Sequence, residues 1–114
     1  MPLIYDFAKI PEPPHEYRHE SNEMTLVRYM AHEGQDLPAG APIVRLENWW
    51  AVFEVFTTVP ATLVKNFFDG VPGLNLQVGT PIALLFFEPD DLRSGGSVFE
   101  TRVVSQKRER PVQR

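Results

Sequence analysis

There is no cysteine in this 114-residue chain. That excludes a disulfide framework, a thiolate nucleophile and a Cys-ligated zinc. Long apolar runs are also missing. No stretch approaches the roughly 20 apolar residues that a membrane-crossing helix needs. Residues 1–14 lack the basic-then-apolar order of a secretory leader, so a cytoplasmic protein away from the membrane is expected. There is no basic excess. The net charge is −4, which disfavours nucleic acid as a partner. The locally basic stretch 107–114 reads as a solvated tail. Lysine is scarce, with Lys9, Lys65 and Lys107 only.

Proline, by contrast, is plentiful. Eleven prolines argue against helices and for strands, turns and extended arms. Residues 1–22 read as an extended arm, with Pro11-Glu-Pro-Pro14 favouring polyproline II. Leu3, Ile4, Tyr5 and Phe7 form an apolar group on it, expected to dock on the chain's own domain or on a neighbour. From Met24 the chain reads as short strands: 25–30, 42–46, 51–56, 62–68, 81–87 and 97–104. In the strand 51–56, Ala51, Phe53 and Val55 share one face and Val52, Glu54 and Phe56 the other.

The most informative pattern is a repeat. Gly34–Leu46 aligns without a gap on Gly73–Leu85, thirty-nine positions later, with six of thirteen residues identical. Paired glycines at turn positions and apolar residues at matched strand positions specify the same backbone twice. The expected fold is all-β: a flattened barrel or sandwich of two pseudo-symmetric halves over residues 23–88. An acidic, Gly-rich loop and an extra strand follow over 89–106, and then the tail 107–114.

Between the copies lies Asn48-Trp49-Trp50-Ala51, a hairpin turn carrying two tryptophans. Exposed indoles at a tip have the make-up of an interaction hot spot. Indoles folded back would instead cover the end of the domain, and one could do each. Phe67-Phe68 and Phe86-Phe87 pose a related problem, since adjacent strand residues face opposite sides. One of each pair must leave the core, and exposed aromatic area marks a protein interface. Trp49, Trp50, Phe67, Phe68, Phe86, Phe87, Leu3, Ile4, Tyr5 and Phe7 are therefore the candidate interface residues.

No catalytic or metal site is expected. His15 and His19 have a metal-compatible spacing but sit in a polar tail without a strong third ligand. His32 reads as a turn residue. Glu88, Asp90 and Asp91 read as a solvated turn, and Ser94–Ser97 lacks the lysine and the length of a phosphate loop.

Glu33-Gly34-x-Asp36-Leu37-x-x-Gly40-x-Pro42-Ile43-x-x-Leu46-Glu47 resembles the first half of a lipoyl or biotinyl carrier domain. Ala51-x-x-Glu54-Val55 and Ala61-x-Leu63-Val64-Lys65 are similar to the segments after the carrier hairpin, and Gly73–Leu85 to the closing segment. The likeness covers about residues 24–87. It implies the hammerhead, a flattened barrel of two four-stranded sheets. It also implies a lysine at the hairpin tip that accepts lipoate or biotin. Ungapped alignment from Pro42 to Ala51 puts Trp50 there, and Trp49 where lipoyl domains usually carry an acid. Tryptophan has no nucleophilic amine, so neither covalent lipoate or biotin nor any other cofactor is expected.

The leading expectation is a non-catalytic small subunit that links larger subunits of a heteromeric enzyme complex. Its make-up resembles the small subunit of ATP-dependent, biotin-independent ketone carboxylases of the acetophenone- or acetone-carboxylase type. Three alternatives remain. One is a degenerate carrier holding a small molecule non-covalently in an open pocket near Trp49 and Trp50. Another is a carrier modified at Lys65. The third, an adaptor of the efflux-assembly kind, lacks the helical hairpin and membrane segment it needs.

Overall fold

The computed structural model describes residues 4–71, 73–88 and 97–108. Leu3, Asp90, Asp91, Ser94 and the tail beyond Arg108 lie outside them. Among the described residues nine strands build two antiparallel sheets: β1 Ile4–Lys9, β2 Glu23–Tyr29, β3 Asp36–Leu37, β4 Pro42–Glu47, β5 Ala51–Thr57, β6 Ala61–Asn66, β7 Leu74–Gln77, β8 Pro81–Phe87 and β9 Phe99–Gln106. A 3-10 turn, His15–Tyr17, interrupts the β1–β2 connection. One sheet runs β1-β8-β6-β3 and the other β7-β2-β4-β5-β9.

The two sheets are separate ladders, so the expected barrel does not close and the sandwich reading stands. Residues 4–9 are not a free arm. They pair along β8 from Ile4–Phe87 to Lys9–Pro81. Two strands, β3 and β7, lie between the strands expected from the sequence and are not among them. They are two and four residues long, too short to show alternation. Phe67 and Phe68 lie past the end of β6, in the turn.

The repeat governs the topology. In the ladders, Thr25 and Leu26 meet Glu47 and Leu46, and Thr62 and Leu63 meet Phe86 and Leu85. Both ladders then slip by one residue, at Val27 and at Val64. A bulge adds one unpaired residue and sharpens the twist. Thr25-Leu-Val-Arg28 and Thr62-Leu-Val-Lys65 are thus the same strand, 37 positions apart. The turn after it is two residues longer in the second copy, which restores the 39-residue offset. Hydrogen bonds repeat the relation. Gly34 N–H donates to Leu63 O at 2.7 Å, and Gly73 N–H to Leu26 O at 3.2 Å. Both glycines have positive φ, +88° and +73°, which side chains disfavour. The Thr62 hydroxyl donates to Asp36, and the Thr25 hydroxyl to Asn75.

Applied to every strand, the correspondence sets β1–β4 against β5–β8. Gly40 N–H reaches Thr57 O just past the bulge that Ile43 of β4 makes against β5, and Gly79 N–H reaches Ile10 O just past the one that Ile82 of β8 makes against β1. The strand 51–56 therefore opens the second unit and is the counterpart of β1. Neither unit is self-sufficient, because β1 adds to β8 and β5 to β4. The extra strand β9 lies outside this scheme, along β5.

The core fills the space between the sheets. Ile43 and Ile82, Leu46 and Leu85, and Leu26 and Leu63 occupy matched positions and are almost fully buried. Each such side chain contributes about 1.5–3 kcal/mol on burial. Ala51, Phe53 and Val55 face this core as their alternation predicts. Tyr29 clamps the two copies together. Its hydroxyl donates to Ile82 O at 2.7 Å and accepts from Phe68 N–H at 3.1 Å. Burial pushes its phenol above the ordinary range, which the Asp69 carboxylate reinforces against the Phe68 N–H.

The outer face of the five-stranded sheet is charged. Glu54, buried there despite its charge, takes Arg45 at 2.7 Å and Arg102 of β9 at 3.3 Å. The Arg102 guanidinium also stacks over Phe56, 4.7 Å from the ring centre. Burial alone would raise the Glu54 carboxyl, but the two guanidinium hydrogen bonds and charges outweigh it and hold the carboxyl below its ordinary range. A carboxyl lowered in the folded state stabilises fully above the unfolded value, about pH 4.3. That stabilisation is lost as pH falls through the folded value. Glu54→Gln should cost on the order of 2 kcal/mol at pH 7, read by urea unfolding. The gap between wild type and variant should close on acidification below pH 4. An unchanged gap there would assign the loss to shape instead of charge.

Candidate functional site

Two surface regions gather the candidate residues. The first is the β4–β5 hairpin. Asn48 sets its shape: the side-chain Oδ1 accepts from Trp50 N–H at 2.9 Å and Ala51 N–H at 3.1 Å. Its Nδ2 donates to Tyr17 O at 2.8 Å. Asn is a turn former because its side chain can bond the backbone in this way. The two tryptophans then diverge. Trp50 folds back, half-buried against the core, and its indole N–H donates to Arg18 O at 3.0 Å. It fastens the β1–β2 connection to the hairpin. Trp49 turns outward and is 52% exposed. The Arg108 guanidinium lies 3.5 Å from its ring centre, and Arg108 also donates to the Trp49 carbonyl. The ring centres of His19 and Trp49 are 6.3 Å apart.

The end of β9 closes onto the same hairpin. Lys107 N–H donates to Trp50 O at 2.7 Å, and Lys107 Nζ to Asn48 O at 3.1 Å, with Glu47 3.5 Å away. Between Trp49, Lys107, Glu23, Thr25 and Asn75 lies an open cleft of about 270 Å³. It is polar, with acids and bases mixed.

The second region is the outer face of the four-stranded sheet. Residues directly opposed in an antiparallel ladder share a face. One row therefore runs Tyr5, Phe86, Thr62, Asp36, and the next Phe7, Leu84, Lys65. Tyr5 is 58% and Phe7 44% exposed, while Phe86 and Leu84 are half-buried. The Tyr5 and Phe86 rings meet edge to face at 5.7 Å, and Phe7 reaches Phe67 at 6.0 Å. Phe67 is itself exposed. The matched rows of the other sheet read Val52, Glu47, Thr25, Asn75 and Glu54, Arg45, Arg28. So Phe7 stands where the other unit has Glu54, Leu84 where it has Arg45, and Phe86 where it has Glu47. One face is charged and self-paired, and its twin is aromatic.

The candidate residues thus separate. Tyr5, Phe7, Phe67 and Phe86 come together. Ile4 pairs with Phe87 on the inward side and is 40% exposed. Phe68 packs against the core, and Phe87 is buried, meeting Phe99 at 5.7 Å. Trp49 and Trp50 form a separate site at the hairpin. Leu84 completes the aromatic region and was missed by sequence reasoning, although Arg45 against Leu84 is readable at the 39-residue offset. Asp6, between Tyr5 and Phe7 in sequence, faces the other side of the sheet and has no such signal.

Elsewhere, His15 lies in the 3-10 turn, and His19 Nδ1 is 2.9 Å from the Ser21 hydroxyl. His32 is exposed, with its backbone N–H on the Gln35 side chain. Lys65 is exposed on β6. Among the described residues no three His, Asp or Glu converge on a metal-sized space, and no helix is long and apolar enough to cross a membrane. Comparison with protein-family models, curated proteins and solved structures finds no match.

The hairpin makes a sharp stability prediction. Trp50→Ala removes a hydrogen bond and half-buried packing, and should cost on the order of 2 kcal/mol in urea unfolding. Trp49→Ala, a surface change, should stay within about 0.5 kcal/mol. Equal losses would mean that both indoles are structural.

Proposed function

We propose that this chain is a non-catalytic small subunit, a linker between larger subunits of a heteromeric enzyme complex. The observation that carries this reading is the aromatic outer face of β1, β8 and β6. The same scaffold in its other copy makes a charged face in which Glu54 pairs with Arg45 and Arg102, so the aromatic version is a departure in one half only. Exposed clustered aromatics are the usual material of interface hot spots. On the ground of general likeness, the complex is a biotin-independent, ATP-dependent ketone carboxylase of the acetophenone-carboxylase kind.

The likeness to lipoyl and biotinyl carriers supports the same reading. Two units of four strands with reciprocal pairing suit the hammerhead. At the hairpin where those carriers hold their lysine, Trp50 is engaged in holding the β1–β2 connection. A chain with the scaffold but without the amine is suited to bridging and not to carrying a group.

A second reading follows from the cleft beside Trp49, which suits a small polar molecule held without a covalent bond against the indole. Lys65, within β6 and not in the β4–β5 hairpin, would be an awkward acceptor for a carrier. Native mass spectrometry of the protein drawn gently from its source separates the three. Recovery within a larger assembly at unmodified mass is the expected result. A free chain carrying non-covalent extra mass would favour the cleft, and covalent extra mass on Lys65 would restore the carrier.

A further inference from the structure

The two units match strand for strand, but their outer edges do not. On one side β5, the first strand of the second unit, is followed by β9, which pairs with it along its whole length. On the other side β1, its counterpart, pairs with β8 alone among the described residues. The four-stranded sheet therefore ends in an open strand edge where its twin carries a fifth strand. An open edge presents backbone N–H and C=O groups that template another strand.

The surroundings of that edge are specific. The Phe7 N–H is not used by the β8 ladder. It is taken at 2.8 Å by the carboxylate of Asp6, its own neighbour. Asp6 lies opposite Leu85, on the inward side of the sheet, and occupies the position that Phe53 fills in the other copy. It is exposed and meets no cation among the described residues. Val103 of β9 lies opposite fully buried Phe53 yet is 37% exposed. Its inward side thus lacks the cover that β5 enjoys. A strand added beyond β1 would lie next to Asp6.

We infer that the β1 edge accepts a strand from a different subunit, completing the four-stranded sheet as β9 completes the five-stranded one. The incoming strand carries a lysine or arginine to meet Asp6 and displaces that carboxylate from the Phe7 N–H. Its outward residues extend the Tyr5, Phe7 and Phe86 face. The charged edge gives the reason for a different subunit. Pairing of β1 with β1 of a second copy, centred on Asp6, would oppose like charges, which edge strands use to prevent self-association. In the other sheet the bridge from β5 to its added strand is likewise acid to base, Glu54 to Arg102. This inference deepens the subunit reading and rests on it.

The test uses the native assembly and the full chain alone. Backbone amide exchange of the segment around Phe7 should slow about tenfold or more in the assembly, as a formed ladder requires. A photo-crosslinker at Tyr5 should join it to an extended segment of another subunit that contains a lysine or arginine. Asp6→Lys should lower incorporation about tenfold or more by opposing like charges, and Asp6→Asn less. Both variants should leave the melting of the isolated chain within a few degrees. Should either fail to fold, the exchange and crosslink readouts on the wild type still decide. Unchanged exchange at β1 inside an assembly would overturn the inference and leave the subunit reading intact. Crosslinks to a second copy of this chain, or an Asp6→Lys variant that assembles normally, would also overturn it. Recovery of a free chain from the source would remove both readings together.

Discussion

The fold depends on reciprocal strand exchange between its two units. β1 completes the sheet of the second unit, and β5 completes that of the first. A two-strand ribbon is marginal in water, and neither unit owns a whole sheet. The matched leucines and isoleucines are buried only when both units are present. The paired turn glycines, the twin bulges at Val27 and Val64, and the Tyr29 clamp all serve this one arrangement. The second copy is thus a structural necessity and not an ornament of the sequence.

Duplication frees the surface to diverge. The inward positions are held to apolar residues in both units, so Leu46 and Leu85 stay alike. The outward positions carry no such constraint. In one unit they became Glu54 and Arg45, with Arg102 arriving from β9. In the other they became Phe7 and Leu84. The charged version closes on itself, and its acid is deeply seated enough to couple the sheet to pH. The aromatic version leaves large rings in water. One scaffold therefore offers two chemically opposite faces.

Much of the architecture was legible in the sequence because it is written as a repeat. Strands β4, β5 and β8 come from short apolar, β-type runs bounded by turn residues, and the glycine pairs locate the turns. The inward side of β5 follows from period two alone. The turn strands β3 and β7 were not legible, since Asp36-Leu37 and Leu74–Gln77 are too short to show a period. The membership of β1 in the sheet was not legible either. Ile4–Lys9 and Ala51–Phe56 share a register but not a sequence, so only the ladder with β8 reveals the kinship. At the hairpin, the tryptophans were visible but not their division of labour. That depends on the Arg18 carbonyl, a backbone group no composition can place beside Trp50.

The ladder between β1 and β8 has a consequence for how the chain is made. Ile4 pairs with Phe87, so β1 waits for a partner strand that is synthesised much later. Contacts this distant in sequence slow folding, because the loop must close before they stabilise anything. At roughly 5–20 residues per second, β1 leaves the ribosome several seconds before its template. During that interval Tyr5 and Phe7 travel on a strand without its β8 partner, and the charge of Asp6 between them is of the kind that edge strands use against unwanted pairing.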